Sequence, residues 1–232
     1  MDYKKIIGIL GGMGPAATVD LLDKIVRAVK VNRDQDHPRI IVDNNPKIPD
    51  RTTAILEKGP SPLPMMVQSA KLLEMAHVDF IIIPCVTAHY YHAKLQAQIT
   101  TPILHIIQET IKYLMLHYPS ARKVGLIASS GTLYSGLFDE ACKKAKVELL
   151  KPDSETQTAK VMKAVYEIKA TAPSDESRAL AREAAETLVL SGAQAIIAGC
   201  TEIPLVLVDG DLSVPVIDPL AVLAERAVME AR

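Results

Sequence analysis

The stretch "IIIPCVTAHYY" (residues 81–91) is an apolar run that breaks at a proline and then presents a cysteine, a threonine and a histidine. Further along, "AIIAGCTEIPL" (residues 195–205) has the same build: aliphatic residues, a small breaker, then Cys-Thr. Short aliphatic and β-branched runs that stop at Gly or Pro read as buried strands. Each of Cys85 and Cys200 is therefore expected at the carboxyl end of a strand. A junction built twice raises the question of whether the whole chain is built twice.

The flanking sequence supports that. "IIGIL" reads as a strand followed by the helix "PAATVDLLDKIVRAV", "RIIVDNN" as a strand, "LPMMVQSAKLLEMA" as a helix, "DFIIIP" as a strand, and "TPILHII" as a strand entering the helix "QETIKYLMLHY". After Pro119 the order restarts: "KVGLIAS" (strand), "YSGLFDEACKKA" (helix), "VELLKP" (strand), "ESRALAREAAETLVLSG" (helix), "AQAIIAG" and "VPVID" (strands), and the closing helix "PLAVLAERAVMEA". Gly8 and Gly125 are 117 positions apart (125 less 8), Cys85 and Cys200 are 115 apart (200 less 85), and Pro102 and Pro215 are 113 apart (215 less 102). Three landmarks at nearly one offset point to a duplicated unit. The expected fold is α/β: two similar domains with mainly parallel sheets flanked by helices, related by pseudo-two-fold symmetry. The expected domains are 1–104 with Cys85 and 105–217 with Cys200, plus a closing helix, 218–232, free to pack back on the N-terminal domain.

At 232 residues the chain has length for two domains of roughly 100 residues each. Its net charge of −1 shows no basic excess of the kind nucleic-acid binders carry. No apolar run approaches the ~20 residues needed to span a bilayer, and "MDYKKIIGILGG" lacks a signal-peptide layout. A soluble cytoplasmic protein is expected, with no nucleic-acid or membrane partner. Three cysteines without an export signal favour free thiols over a disulfide framework, and no Cys-x-x-Cys or His-x-x-x-His spacing suggests a metal site.

Ligands of open parallel sheets gather outside the carboxyl ends of the strands, where both thiols are expected. If the halves face each other, Cys85 and Cys200 approach one cleft from opposite sides. A thiolate on one side can remove an acidic C–H proton while a thiol on the other returns a proton to the opposite face, inverting the carbon. Near-attack distances of about 3 to 3.5 Å place the sulfurs roughly 7 Å apart. Free cysteine ionises near pH 8.5, and a neighbouring helix N-terminus would lower that through its backbone N–H groups and macrodipole. Thr87 and Thr201 can cap such a turn or donate to a bound anion. His89 can tune the nearby thiol, donate to substrate, or cap a helix. Glu202 can bind a substrate ammonium or raise the thiol pKa by its charge. Cys142, in "DEACKKAK", has no counterpart and reads as packing.

"GGMGPAAT" (residues 11–18) invites a phosphate-loop reading, but it lacks G-x-G-x-x-G and no Walker lysine follows. Its glycines instead let backbone approach a small substrate, with Met13 walling the pocket.

"IGILGGMGPAAT", "NNPKIPDRT", "PCVTAHYY" and "AGCTEIPL", in this order and spacing, resemble the aspartate/glutamate racemase family, most closely its aspartate racemase branch. The resemblance implies a homodimer and racemisation of an amino acid by two cysteines, with no pyridoxal phosphate or other cofactor. By position, Cys85 and Cys200 match the acid/base pair, and Arg51, flanked by Asp50 and Thr52, matches a substrate-carboxylate arginine. A guanidinium fork suits that role. Lys169, in "VYEIKA", matches a lysine of the aspartate-acting members, with a loop expected after it at 171–177. Val86, Thr87 and Ala88 after the first cysteine, and Thr201 and Glu202 after the second, complete the expected substrate contacts. Val86 departs from the asparagine the family usually has there, so that backbone groups and Thr87 take over its hydrogen bonds, or the specificity shifts toward another amino acid, or turnover is slow. Competing readings are another cofactor-independent isomerase or a decarboxylase of small diacids, and a non-catalytic amino-acid-binding protein.

Overall fold

The computed structural model describes residues 3–56, 58–171 and 173–232. In chain order its elements are β1 (Ile7–Gly11), α1 (Pro15–Ala28), β2 (Ile40–Asn44), α2 (Arg51–Ile55), α3 (Leu63–Met75), β3 (Phe80–Ile82), α4 (His92–Gln96), α5 (Ile106–His117), β4 (Lys123–Ile127), α6 (Ser130–Ser135), α7 (Leu137–Lys144), β5 (Glu148–Leu150), α8 (Ser154–Thr156), α9 (Lys163–Ala170), α10 (Asp175–Leu190), β6 (Ile196–Ala198), β7 (Val216–Ile217) and α11 (Pro219–Glu230). Residues 1–109 with 220–232 form one compact unit, and residues 110–219 form a second.

Each unit contains a parallel sheet flanked by helices. The first has strand order β2-β1-β3, and Ile103 adds a single parallel bridge to Ile81 beyond β3. The second has order β5-β4-β6-β7, again parallel throughout. The two orders are the same pattern, with Ile103 standing where β7 stands. The proline landmarks carry matching hydrogen bonds: Ile81 N–H donates to Pro102 O at 2.8 Å, and Ile196 N–H donates to Pro215 O at 2.9 Å.

Central strands β1, β3, β4 and β6 are almost wholly buried, as strands covered by helices on both faces must be. β2 is half-exposed at an edge. One core cluster joins Leu10, Met66, Leu73, Ile81 and Ile83 with Cys85; the other joins Ile127, Val161, Ile168, Ala184 and Ile196 with Cys200. In the first unit the closing segment is tied to the N-terminal one: Lys4 and Lys5 N–H donate to Ala231 O, and Lys5 pairs with Glu230.

Three expectations differ from the structure. "TPILHII" gives one bridge at Ile103 instead of a strand, because α5 takes over from Ile106. "YSGLFDEACKKA" is two helices: Gly136, at φ +67°, caps α6 in the left-handed region, where glycine is least strained, and α7 restarts after it. Residues 154–170 are helical, with a π-helical stretch at Gln157–Met162 between α8 and α9, which the sequence pattern does not announce. Its start is fixed by Asp153, whose side chain accepts from Thr156 N–H. The loop expected at 171–177 is shorter, since Ser174 caps α10; residue 172 lies outside the described residues.

Candidate active site

In the first unit the expected residues gather beyond the carboxyl ends of β1, β2 and β3. Gly12 turns the chain out of β1 at φ +89°, and a Cβ there would lie 2.2 Å from the carbonyl carbon of Asn45, so only glycine lets these two loops close on each other. Met13, 1% exposed, follows. Arg51 opens α2 and is 7% exposed; its Nη2 donates to Met13 O at 2.7 Å, and its Nη1 donates to Pro49 O at 2.9 Å and Ile48 O at 3.2 Å. Its Nε is buried with no partner. A guanidinium has five donors, and here carbonyl oxygens take up part of that set. Those carbonyl dipoles stabilise the guanidinium only in part, and its unpartnered Nε leaves a donor for an anionic ligand.

Asp50 plays a structural part. It caps α2, accepting from Thr53 N–H at 2.7 Å and Thr53 Oγ1 at 2.9 Å. That cap orients the helix whose first residue is Arg51. Thr52 is buried beside it.

Cys85 is 5% exposed and leaves β3 in a tight turn, its N–H donating to Ile83 O at 2.8 Å and its own carbonyl accepting from Ala88 N–H at 3.2 Å. Val86, Thr87 and Ala88 are buried. The segment after Cys85 is a short 3₁₀ helix, Thr87–Tyr91, with no side-chain cap. It supplies little of the dipole that a full helix would bring to a thiol. His89 lies within that turn, its Nδ1 3.0 Å from Cys85 O, and Ile106 N–H donates to its Nε2 at 3.3 Å. Burial, then the neighbouring His105, lowers the His89 pKa to about 3, with the Cys85 and Leu104 carbonyls opposing only in part. Of the three roles open to it in the sequence, this geometry matches the helix cap, and the ring is neutral.

The second unit holds a different arrangement. Cys200, 5% exposed, follows β6, and its Sγ donates to Glu202 Oε2 at 2.9 Å. Thr201 Oγ1 donates to the same oxygen at 3.4 Å. Lys169, on α9, reaches within 4.0 Å of Glu202 Oε1 and lies 5.9 Å from the Tyr166 ring centroid. Burial first, and the Glu202 charge second, push the Cys200 thiol well above its ordinary range, while the Lys169 ammonium pulls it down. The expectation that a helix N-terminus lowers this thiol is corrected: only the three-residue 3₁₀ turn Ile203–Leu205 follows, and a carboxylate faces the sulfur. Cys200 is a thiol at neutral pH. The third cysteine, Cys142, is buried on α7 with its pKa raised to about 11, chiefly by burial, as suits inert packing.

One cysteine thus follows the corresponding strand in each unit; the first unit also holds a buried arginine, and in the second a lysine–carboxylate pair stands by the thiol. The family model for Asp/Glu/hydantoin racemases matches residues 10–227. The chain belongs to that family. The broad specificity amino-acid racemase RacX of Bacillus subtilis (strain 168) is 30% identical over 229 residues, 96% of each chain. The structure of Picrophilus torridus aspartate racemase is 29% identical, with a TM-score of 0.83 over 98% of this chain and 94% of that one. An aspartate racemase homologue from Pyrococcus horikoshii OT3, at 21% identity, shares the fold with a TM-score of 0.78 over 98% of this chain and 99% of that one. Among the described residues no helix is long and apolar enough to cross a membrane, and no His, Cys, Asp and Glu group could hold a metal ion.

Sequence reasoning missed Gln157. Its Nε2 donates to Ala128 O at 2.9 Å and Ser130 Oγ at 3.2 Å, bracing the carboxyl end of β4, the strand next to the one that delivers Cys200. The Asp153 cap and the helical spacing of Val161, Val165 and Ile168 were the available signal.

Proposed function

We propose that this protein is a cofactor-independent amino-acid racemase in which Cys85 and Cys200 act as opposed base and acid on one α-carbon. The observation that carries this reading is the equivalent placement of the two cysteines at strand ends of duplicated units, in a chain of the racemase family. Arg51 takes a substrate carboxylate in its fork. Burial, and after it the Glu202 charge, keeps Cys200 protonated, which casts Cys200 as the acid of the first turnover and leaves the part of base to Cys85.

Cys85 takes the α-proton, and the electron pair left on carbon is delocalised into the bound carboxylate. Cys200 then gives its proton to the other face. Atoms balance with no other reactant; the enantiomer leaves, and the sulfurs have exchanged protonation states, which is the starting state for the reverse reaction. Glu202 beside a thiolate is unfavourable, with Lys169 as the offsetting charge.

A dicarboxylic amino acid, aspartate first, matches two cationic side chains, Arg51 and Lys169. Val86 is buried and apolar, so at that position only backbone groups and Thr87 can hydrogen-bond. That favours a spectrum wider than aspartate, in line with the breadth described for the Bacillus subtilis relative. We expect a homodimer, for which light scattering should give about twice the 25.2 kDa chain mass; the chain mass itself would remove this part of the reading.

The test is to incubate the protein with L- and D-aspartate, glutamate and neutral amino acids, adding no cofactor, and to follow optical rotation. Loss of rotation for at least one pair, abolished in Cys85→Ser and in Cys200→Ser, supports the reading. Ligand-induced stabilisation without loss of rotation would replace it with an amino-acid-binding module.

A further inference from the structure

His89 is 2% exposed, and both of its ring nitrogens are engaged. Nδ1 faces the Cys85 carbonyl at 3.0 Å. A carbonyl oxygen only accepts, so Nδ1 carries the proton. Ile106 N–H donates to Nε2 at 3.3 Å, which makes that nitrogen the acceptor and the ring neutral, even with the Leu104 carbonyl also near the ring. That amide is the first of α5. His89 therefore spans two carboxyl-end segments of the same sheet, the turn after β3 and the chain after the Ile103 bridge.

The ring is also wedged in place. The His92 and His105 rings lie 6.0 and 4.9 Å away, and His92 Nε2 is within 3.1 Å of Ile103 O, so the imidazole cannot swing without disturbing the bridge segment. The same carbonyl of Cys85 that His89 holds also accepts from Ala88 N–H, so its direction, and with it the Cα–Cβ direction of Cys85, is set from two sides.

We infer that His89 is a positioning residue for Cys85: an Nδ1-protonated, neutral imidazole that ties the cysteine carbonyl to the first amide of α5 and so fixes where the thiol stands at the end of β3. The consequence for turnover rests on the proposed role of Cys85; the geometric claim does not. A displacement of about 1 Å at a reacting group costs roughly 10²-fold in rate.

Two kinds of measurement test this. In protein labelled with ¹⁵N-histidine, His89 should show a protonated Nδ1 and a bare Nε2 near neutral pH; the opposite tautomer or a charged ring overturns the inference. Alkylation of Cys85 by iodoacetamide, followed against pH in a Cys142→Ser, Cys200→Ser background, should change in rate or midpoint in His89→Leu and return toward the starting profile in His89→Gln, whose amide also offers a donor and an acceptor. An unchanged profile in His89→Leu overturns it. If racemisation is observed in the wild type, His89→Leu should lower kcat about 10²-fold with KM within about threefold, and His89→Gln should regain about tenfold. A KM effect alone contradicts positioning. Should the wild type not racemise, the proposed function fails while the tautomer and alkylation measurements still decide the role of His89. Should His89→Leu not fold, the tautomer and the His89→Gln kinetics decide it.

Discussion

Acidification should unbuckle the Cys85 segment through His89. The side chain is 2% exposed, and its pKa lies at about 3 in the folded chain against an ordinary 6.5. The folded pKa is depressed, so the unfolded chain binds a proton near 6.5 that the folded chain refuses until about 3. Stability is therefore intact above about pH 6.5 and falls as pH drops below it, at about 1.4 kcal/mol per pH unit for this one residue. Between about pH 7 and pH 5 the loss from His89 is about 2 kcal/mol, and over the full window it is on the order of 5 kcal/mol, comparable with the whole stability of a small domain. The assay is urea unfolding at about pH 7 and about pH 5, on the wild type and on His89→Gln, which cannot titrate. The wild type should lose about 2 kcal/mol more than the variant across that interval. Equal losses would mean that His89 is already charged, or is reached by water, in the folded protein, and the neutral-strut argument would be refuted.

Other consequences are as direct. Gly12→Ala places a Cβ 2.2 Å from the Asn45 carbonyl carbon at φ +89°, so the variant should lose more than about 2 kcal/mol in urea unfolding; an unmoved midpoint would show that the loop yields freely. Glu202→Gln removes the charge beside Cys200, so alkylation of Cys200, measured by mass spectrometry in a Cys85→Ser, Cys142→Ser background, should set in at lower pH than before; onset at higher pH contradicts the role given to Glu202. Arg51→Lys replaces a fork with a point charge, so KM for a dicarboxylic amino acid should rise about tenfold while kcat changes less, and an unchanged KM would take Arg51 out of the site.

What could be read from the chain beforehand was whatever depended on local pattern. The runs around Ile9, Ile81, Leu126 and Ile197 announce strands because buried parallel strands are apolar on both faces, and all but the Leu126 run end at a Gly or Pro. The duplication of the unit was legible from the landmark spacing and the matched Cys and Thr residues. The break at Gly136 was not, because a glycine inside a helical pattern looks tolerable until its φ is known. Residues 154–170 were hidden by the polar opening "SETQTAK", which masks the apolar spacing that follows.

At the candidate site, residue types were legible and their partners were not. The hydrogen bond from Cys200 to Glu202 depends on a rotamer two residues along the chain, and the strut from Cys85 through His89 to Ile106 joins positions that are neighbours only once β3 and the Ile103 bridge are aligned. The cap that Asp50 gives α2 was likewise not announced by the sequence.

The account stands most directly on where deuterium goes at early times. With L-aspartate, or whichever enantiomer proves active, in D₂O, two opposed sulfurs should deliver solvent deuterium to the product of inverted configuration while the unreacted substrate keeps its α-hydrogen. Deuterium appearing in recovered, uninverted substrate as fast as product forms would mean that one base serves both faces, and the pairing of Cys85 with Cys200 would be contradicted.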